Sequence, residues 1–89
     1  MRFRKKPVVI EAILCREAIL GAADNWRLPQ WLKDAYEKGG VVFTMDGIHL
    51  PTLEGTMRAD ADDWIICGVM GELYPCKPDV FAATYEPAE

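Results

Sequence analysis

Tyr74, Cys76 and Lys77 come closer to a reaction site than any other residues of this chain, because an ammonium beside a thiol lowers its pKa and creates a nucleophile. No base or oxyanion donor accompanies them. Strand alternation puts Tyr74 and Cys76 on one face, so the thiol is expected to pack inward and Lys77 to face solvent or a carboxylate. His49 is the single histidine. It is expected on the face opposite Ile48 and Leu50, toward solvent, and it leaves no His–His or His–Cys metal spacing. Neither GxGxxG nor a Walker loop is present to cradle phosphate. Glu11 stands in an apolar run, where an ionised carboxylate needs a partner, and Lys77 or Arg58 is the expected partner in a structural ion pair. No catalytic residue, cofactor or metal ligand is assigned, and the chain is read as non-enzymatic.

A second set points to binding. Asp46, Glu54, Asp60, Asp62 and Asp63 fall in turns and at strand ends. If the fold gathers these turns, they form a negative partner-binding patch suited to a Lys/Arg groove that otherwise holds nucleic-acid phosphate. The plainer reading is that turns favour Asp for its local hydrogen bonds. The net charge of −4 hides an asymmetry: Arg2, Arg4, Lys5 and Lys6 are four of ten basic residues, and the 83 residues from 7 to 89 carry six basic and fourteen acidic side chains. A body at −8 repels nucleic acid, so the expected partner is a protein or nucleoprotein complex with a basic groove, and direct nucleic-acid binding is not expected.

With 89 residues the chain has room for one domain, 1–89, burying roughly 60–65% of its unfolded surface. It is 51% hydrophobic and 27% charged, which is globular composition. No stretch approaches the ~20 apolar residues of a bilayer span, and the run after Lys6 is too short for a signal peptide. Cys15, Cys67 and Cys76 are odd in number and lack CxxC spacing, so plain buried thiols in a reducing cytoplasm are expected.

Pro7–Cys15 is rich in β-branched residues and reads as a strand inside a sheet, led by the basic segment. Ile19, Ala22, Ala23 and Trp26 lie at i, i+3, i+4 and i+7, which predicts a helix over about Arg16–Asn25, although Gly21 weakens it. Pro29 suits the first turn of a second helix striped by Trp31, Leu32, Ala35 and Tyr36 and ended by Gly39-Gly40. From Val41 the period becomes two. Val41–Met45 and Ile48–Leu50 flank Asp46-Gly47, which predicts a type I′ hairpin. Thr56–Ala59, Trp64–Cys67 and Leu73-Tyr74 continue an antiparallel meander. Pro75 and Pro78 confine the last strand to an edge or bend, and Asp79 is placed to cap a short helix, Val80–Ala83, before an extended Thr84–Glu86. Trp64, Ile66, Phe81 and Tyr85 are expected to pack together. The fold class is α+β: an antiparallel sheet, able to curl toward a barrel, with two or three short helices on one face.

The opening Arg4–Ala12 and the closing Tyr74-Pro75-Cys76-Lys77-Pro78-Asp79 run resemble a family of small phage and prophage proteins of uncharacterised function. Similar proteins often read Pro-Gly-Asp before the tryptophan strand, where this chain has Ala61-Asp62-Asp63. The resemblance implies a phage setting and carries over no catalytic residue. Small acidic phage proteins of this kind often inhibit host machinery, anti-CRISPR proteins among them, so the expectation is a binding protein that blocks a host defence complex. Two rivals stand beside it. One is a small-molecule or nucleotide-signal sequestering protein, with a cleft of Trp64, Tyr74, Lys77 and the basic leader; the other is a virion or morphogenesis component.

Overall fold

The computed structural model describes residues 1–4 and 6–88. Its elements run β1 (Glu11–Leu14), α1 (Cys15–Ala23), α2 (Gln30–Lys38), β2 (Val42–Phe43), β3 (Gly47–Thr52), β4 (Gly55–Asp60), β5 (Trp64–Cys67), β6 (Leu73–Cys76) and α3 (Pro78–Thr84). The class is α+β as expected. The strands divide into two antiparallel three-stranded sheets, ordered β1-β5-β6 and β2-β3-β4, and do not close into a barrel. The meander therefore breaks between β4 and β5, and β6 packs across β3 and β4 instead.

Alternation decides what each sheet buries. Ile65 of β5 turns into the main core with Ile48, Leu50, Ala59 and Leu73, while α1 adds Cys15 and Ala18 and α2 adds Leu32. Trp64 and Ile66 face the other way. Ile66 is fully buried there, and α3 covers this face with Phe81, whose ring stacks on Trp64 at 4.1 Å and 8° and approaches Tyr85 at 5.2 Å. The expected aromatic group thus exists as a satellite cluster, separated by the sheet from the main core.

Several local expectations are corrected. Only Glu11–Leu14 of the predicted first strand pairs, and β1 is an edge strand, not an inner one. The first helix ends at Ala23, so Trp26 lies beyond it at φ 60, following Asn25 at φ 54. Its indole packs edge-on against Tyr36 at 4.9 Å and against Phe43 at 5.5 Å, which offsets an unfavourable left-handed backbone. Gly21 has a packing reason for its place in α1. The chain returning from the helix lays the Arg27 carbonyl where a Cβ would stand, and Arg27 N–H donates to the Gly21 carbonyl at 2.7 Å.

The hairpin at Asp46-Gly47 forms with a shifted turn. Thr44 N–H donates to the Gly47 carbonyl at 2.9 Å, so Met45-Asp46 occupy the bend, and neither Asp46 nor Gly47 has positive φ. Gly47 is instead a buried strand residue whose Cβ would lie 2.8 Å from the Ala59 carbonyl and 2.9 Å from the Arg58 guanidinium. At the C-terminal end, Pro75 does sit on an edge strand. Lys77, not Asp79, occupies the N-cap of α3; Asp79 lies in the first turn and accepts the Val80 N–H at 2.9 Å. Among the described residues no helix is long and apolar enough to cross a membrane.

Candidate functional site

The acidic turns converge where β2 and β4 end and β3 and β5 begin. Register places Gly47 opposite Asp60, so the 44–47 bend and the 60–63 turn lie side by side. Arg58, two residues before Asp60 on the same strand face, reaches both: its Nε donates to Asp60 at 2.8 Å, and its guanidinium lies 3.2 Å from the Asp46 carboxylate. Lys77, arriving at the end of β6, sets its ammonium 3.2 Å from Asp63 and 3.7 Å from Asp60. Arg16 of α1 pairs with Asp62. Four carboxylates thus interleave with three cations in one plate.

Asp63 is different from its neighbours. It is 3% exposed, and its carboxylate accepts the Asp60 N–H at 2.9 Å as well as the Lys77 ammonium. The same turn receives helix α1, because Cys15 N–H donates to the Asp63 carbonyl at 2.8 Å and Arg16 N–H to the Ala61 carbonyl at 3.0 Å. Helix starts leave N–H groups without intrahelical partners, and α1 has no side-chain cap. The turn supplies the missing acceptors. No residue from Ala61 to Asp63 has positive φ, so the turn closes without a glycine.

Of the five predicted binding residues, Asp46, Asp60, Asp62 and Asp63 come together. The first three present carboxylates to solvent, with side chains 80%, 58% and 73% exposed, and Asp63 is inside. Glu54 does not join them: it lies in the turn at the opposite end of the β3–β4 hairpin, about 17 Å away at ~3.4 Å per residue. Sequence reasoning missed the cations. Arg58 and Asp60 at i, i+2 on a strand carried a usable signal, whereas Arg16 and Asp62, 46 positions apart, carried none. Because Arg58 and Lys77 are engaged here, neither pairs with Glu11, which stays exposed on the edge strand.

The charge network sets ionisation. The Arg58 hydrogen bond holds the Asp60 carboxyl below its ordinary 3.8, and the Thr44 hydroxyl followed by Arg58 does the same for Asp46. Groups with depressed folded pKa values stabilise the fold fully above the unfolded value, and that contribution is lost as pH falls through the folded one. Lys77 and Arg58 are shifted upward by hydrogen bonds to Asp63 and Asp60 respectively.

The thiols move away from reactivity. Burial, then Asp63 and Asp60, pushes Cys15 up to about 11; burial raises Cys76, with Asp63 and Asp79 adding to it, so Lys77 does not activate the neighbouring sulfur. Cys67 rises through burial and then Glu11 and Glu72. Iodoacetamide at about pH 8 should therefore modify Cys76 and Cys67 of the native protein more slowly than in urea, and Cys15 only on unfolding. Native Cys76 alkylated faster than the unfolded chain would contradict the assignment. All three cysteines are free thiols, and no set of three potential metal ligands gathers among the described residues.

A cleft of about 590 Å³ lies beside Trp64. Val8, Val9, Ala12, Phe81 and Tyr85 line it, with Glu11 and Glu86 as its charged groups. Tyr74 and Lys77 are not in its wall: Tyr74 sets its hydroxyl 3.4 Å from that of Tyr85, and burial with that contact pushes it up to about 12. Arg2, Arg4 and Lys6 stay exposed outside the cleft, and Lys5 lies outside the described residues. The Trp64–Tyr74–Lys77 cleft expected for a nucleotide ligand is thus not assembled. No family model, curated protein or solved structure matches this chain.

Proposed function

We infer that the chain is a non-enzymatic binding protein of the phage type, acting as an inhibitor that seats its turn plate in the basic groove of a host defence complex such as a CRISPR–Cas effector. The observation that carries this reading is the preordered row of Asp46, Asp60 and Asp62, each more than half exposed and each fixed by Arg58, Lys77 or Arg16. A carboxylate already held in place loses little conformational freedom on binding, so partner arginines and lysines can join the network at low entropic cost. The interleaved cations reduce the plate's net charge, so recognition rests on the pattern of charges more than on a uniform negative field. The resemblance to phage proteins and the −8 body supply the setting and the long-range attraction.

The test is competition. Purified protein should displace guide or target nucleic acid from an effector complex, with binding weakening as salt screens exposed charge over about 8 Å. The double variant Asp46→Lys, Asp62→Lys should bind about tenfold or more weakly while melting normally, because both residues are exposed rim charges. Equal competition by that variant would rule out the turn plate as the recognition surface.

A further inference from the structure

We propose that this chain pairs with a second copy of itself through the open edge of β1, each copy laying its basic leader along the acidic-rimmed cleft of the other. The backbone parity of β1 makes the edge available. Cys15 N–H donates to the Asp63 carbonyl, and the register runs from Glu11 opposite Cys67 to Leu14 opposite Trp64. Odd-numbered residues of β1 therefore point their N–H and C=O groups to β5, and Ala12 points both outward at an edge with no neighbouring strand among the described residues. Unpaired edge groups template another strand.

The same parity admits a two-fold axis. Identical strands running antiparallel must offer the same alternate set of residues to each other, and here both offer the even ones. With Val8 on the axis, Ile10 faces Lys6 and Ala12 faces Arg4 of the second copy. Pro7, which has no N–H, falls on the odd positions, where the pairing asks nothing of it.

Charge and exposure select this occupant over others. The leader is the only strongly cationic segment of an otherwise acidic chain, and it leaves Phe3 88% and Val9 77% exposed. The cleft alongside β1 is apolar, built on Val8, Ala12, Trp64 and Phe81, and among the described residues its charged groups are Glu11 and Glu86. Each copy thus carries a cationic, apolar leading segment and an anionic, apolar receptor for it. This is the self-complementarity that an isologous interface requires.

Sedimentation velocity of the full chain over a range of concentrations tests the idea. A concentration-dependent dimer is expected, weakening as salt rises. Reversing the leader (Arg2→Glu, Arg4→Glu, Lys6→Glu) or the cleft rim (Glu11→Lys, Glu86→Lys) should each raise the dimer dissociation constant about tenfold or more, since several exposed pairs are lost twice by symmetry. Mixing the two variants should restore association as a heterodimer, because each leader then meets a rim of opposite sign. Amide exchange at Ala12 should slow as dimer accumulates. A wild-type chain that stays monomeric, a dimer indifferent to both reversals, or an Ala12 amide that exchanges equally fast in the dimer would each overturn the proposal.

Discussion

Replacing Asp63 with alanine is expected to remove about 2–3 kcal/mol of stability in a urea melt, although the residue sits in a turn whose neighbours tolerate change. The magnitude follows from the burial of the acceptor. Its carboxylate is inside the protein, accepts the part-buried Asp60 N–H and meets the Lys77 ammonium, so its loss removes two charge-assisted hydrogen bonds that close the turn. Asp63→Asn should recover part of the loss, because an amide oxygen can still accept the Asp60 N–H. A loss below about 0.5 kcal/mol for the alanine variant, the range of ordinary surface changes, would show that the turn closes without this side chain. The contrast with Asp62 is part of the expected result, since its pair with Arg16 is exposed and surface pairs contribute little.

Leu32→Ala should be costlier still, about 3–5 kcal/mol. Leu32 is the fully buried residue of α2 and its anchor in the main core; Trp31 and Ala35 only flank that core, and Tyr36 is exposed. Removing the isobutyl group leaves a cavity with little else to hold the helix. Amide exchange across α2 should therefore accelerate more than across β5, and near-ultraviolet circular dichroism should lose the contribution of the Trp26–Tyr36–Phe43 cluster. Uniform acceleration through the whole chain would mean that α2 unfolds only with the rest, and that Leu32 holds no separate unit.

What the residues disclosed, and what they hid, follows the range of the interactions. The helical stripe around Leu32, the alternation around Ile48 and Leu50, and the edge position of Pro75 are set within a few residues, and each was legible. The turn at Asp46-Gly47 was misplaced by one residue because glycine has two uses. It was read as a source of positive φ, but Gly47 is there because Arg58 and the Ala59 carbonyl leave no room for a Cβ. The rank of β1 within its sheet was hidden for another reason: Val8-Val9-Ile10 looks like the interior of a sheet, yet apolar residues at an open edge have the same composition. The acidic set was visible as a list of turn residues. Its meaning depended on Arg16, Arg58 and Lys77, which only the fold brings to it, and one member, Glu54, was sent to the far end of a hairpin.

The pairing of β1 with β5 has a consequence for synthesis. The N-terminal strand finds its partner only in Trp64–Cys67, and the first turn of α1 finds its acceptors only in Ala61 and Asp63. Closing so long a loop is slow, because the entropy of bringing distant segments together is lost before any contact compensates it. On the ribosome the first strand must wait, unpaired, until Trp64–Cys67 has left the exit tunnel. Throughout that interval the charges of neighbouring leaders repel one another, the way gatekeeper residues guard an apolar run such as Val8-Val9-Ile10, because the anionic cleft that would receive a leader does not yet exist.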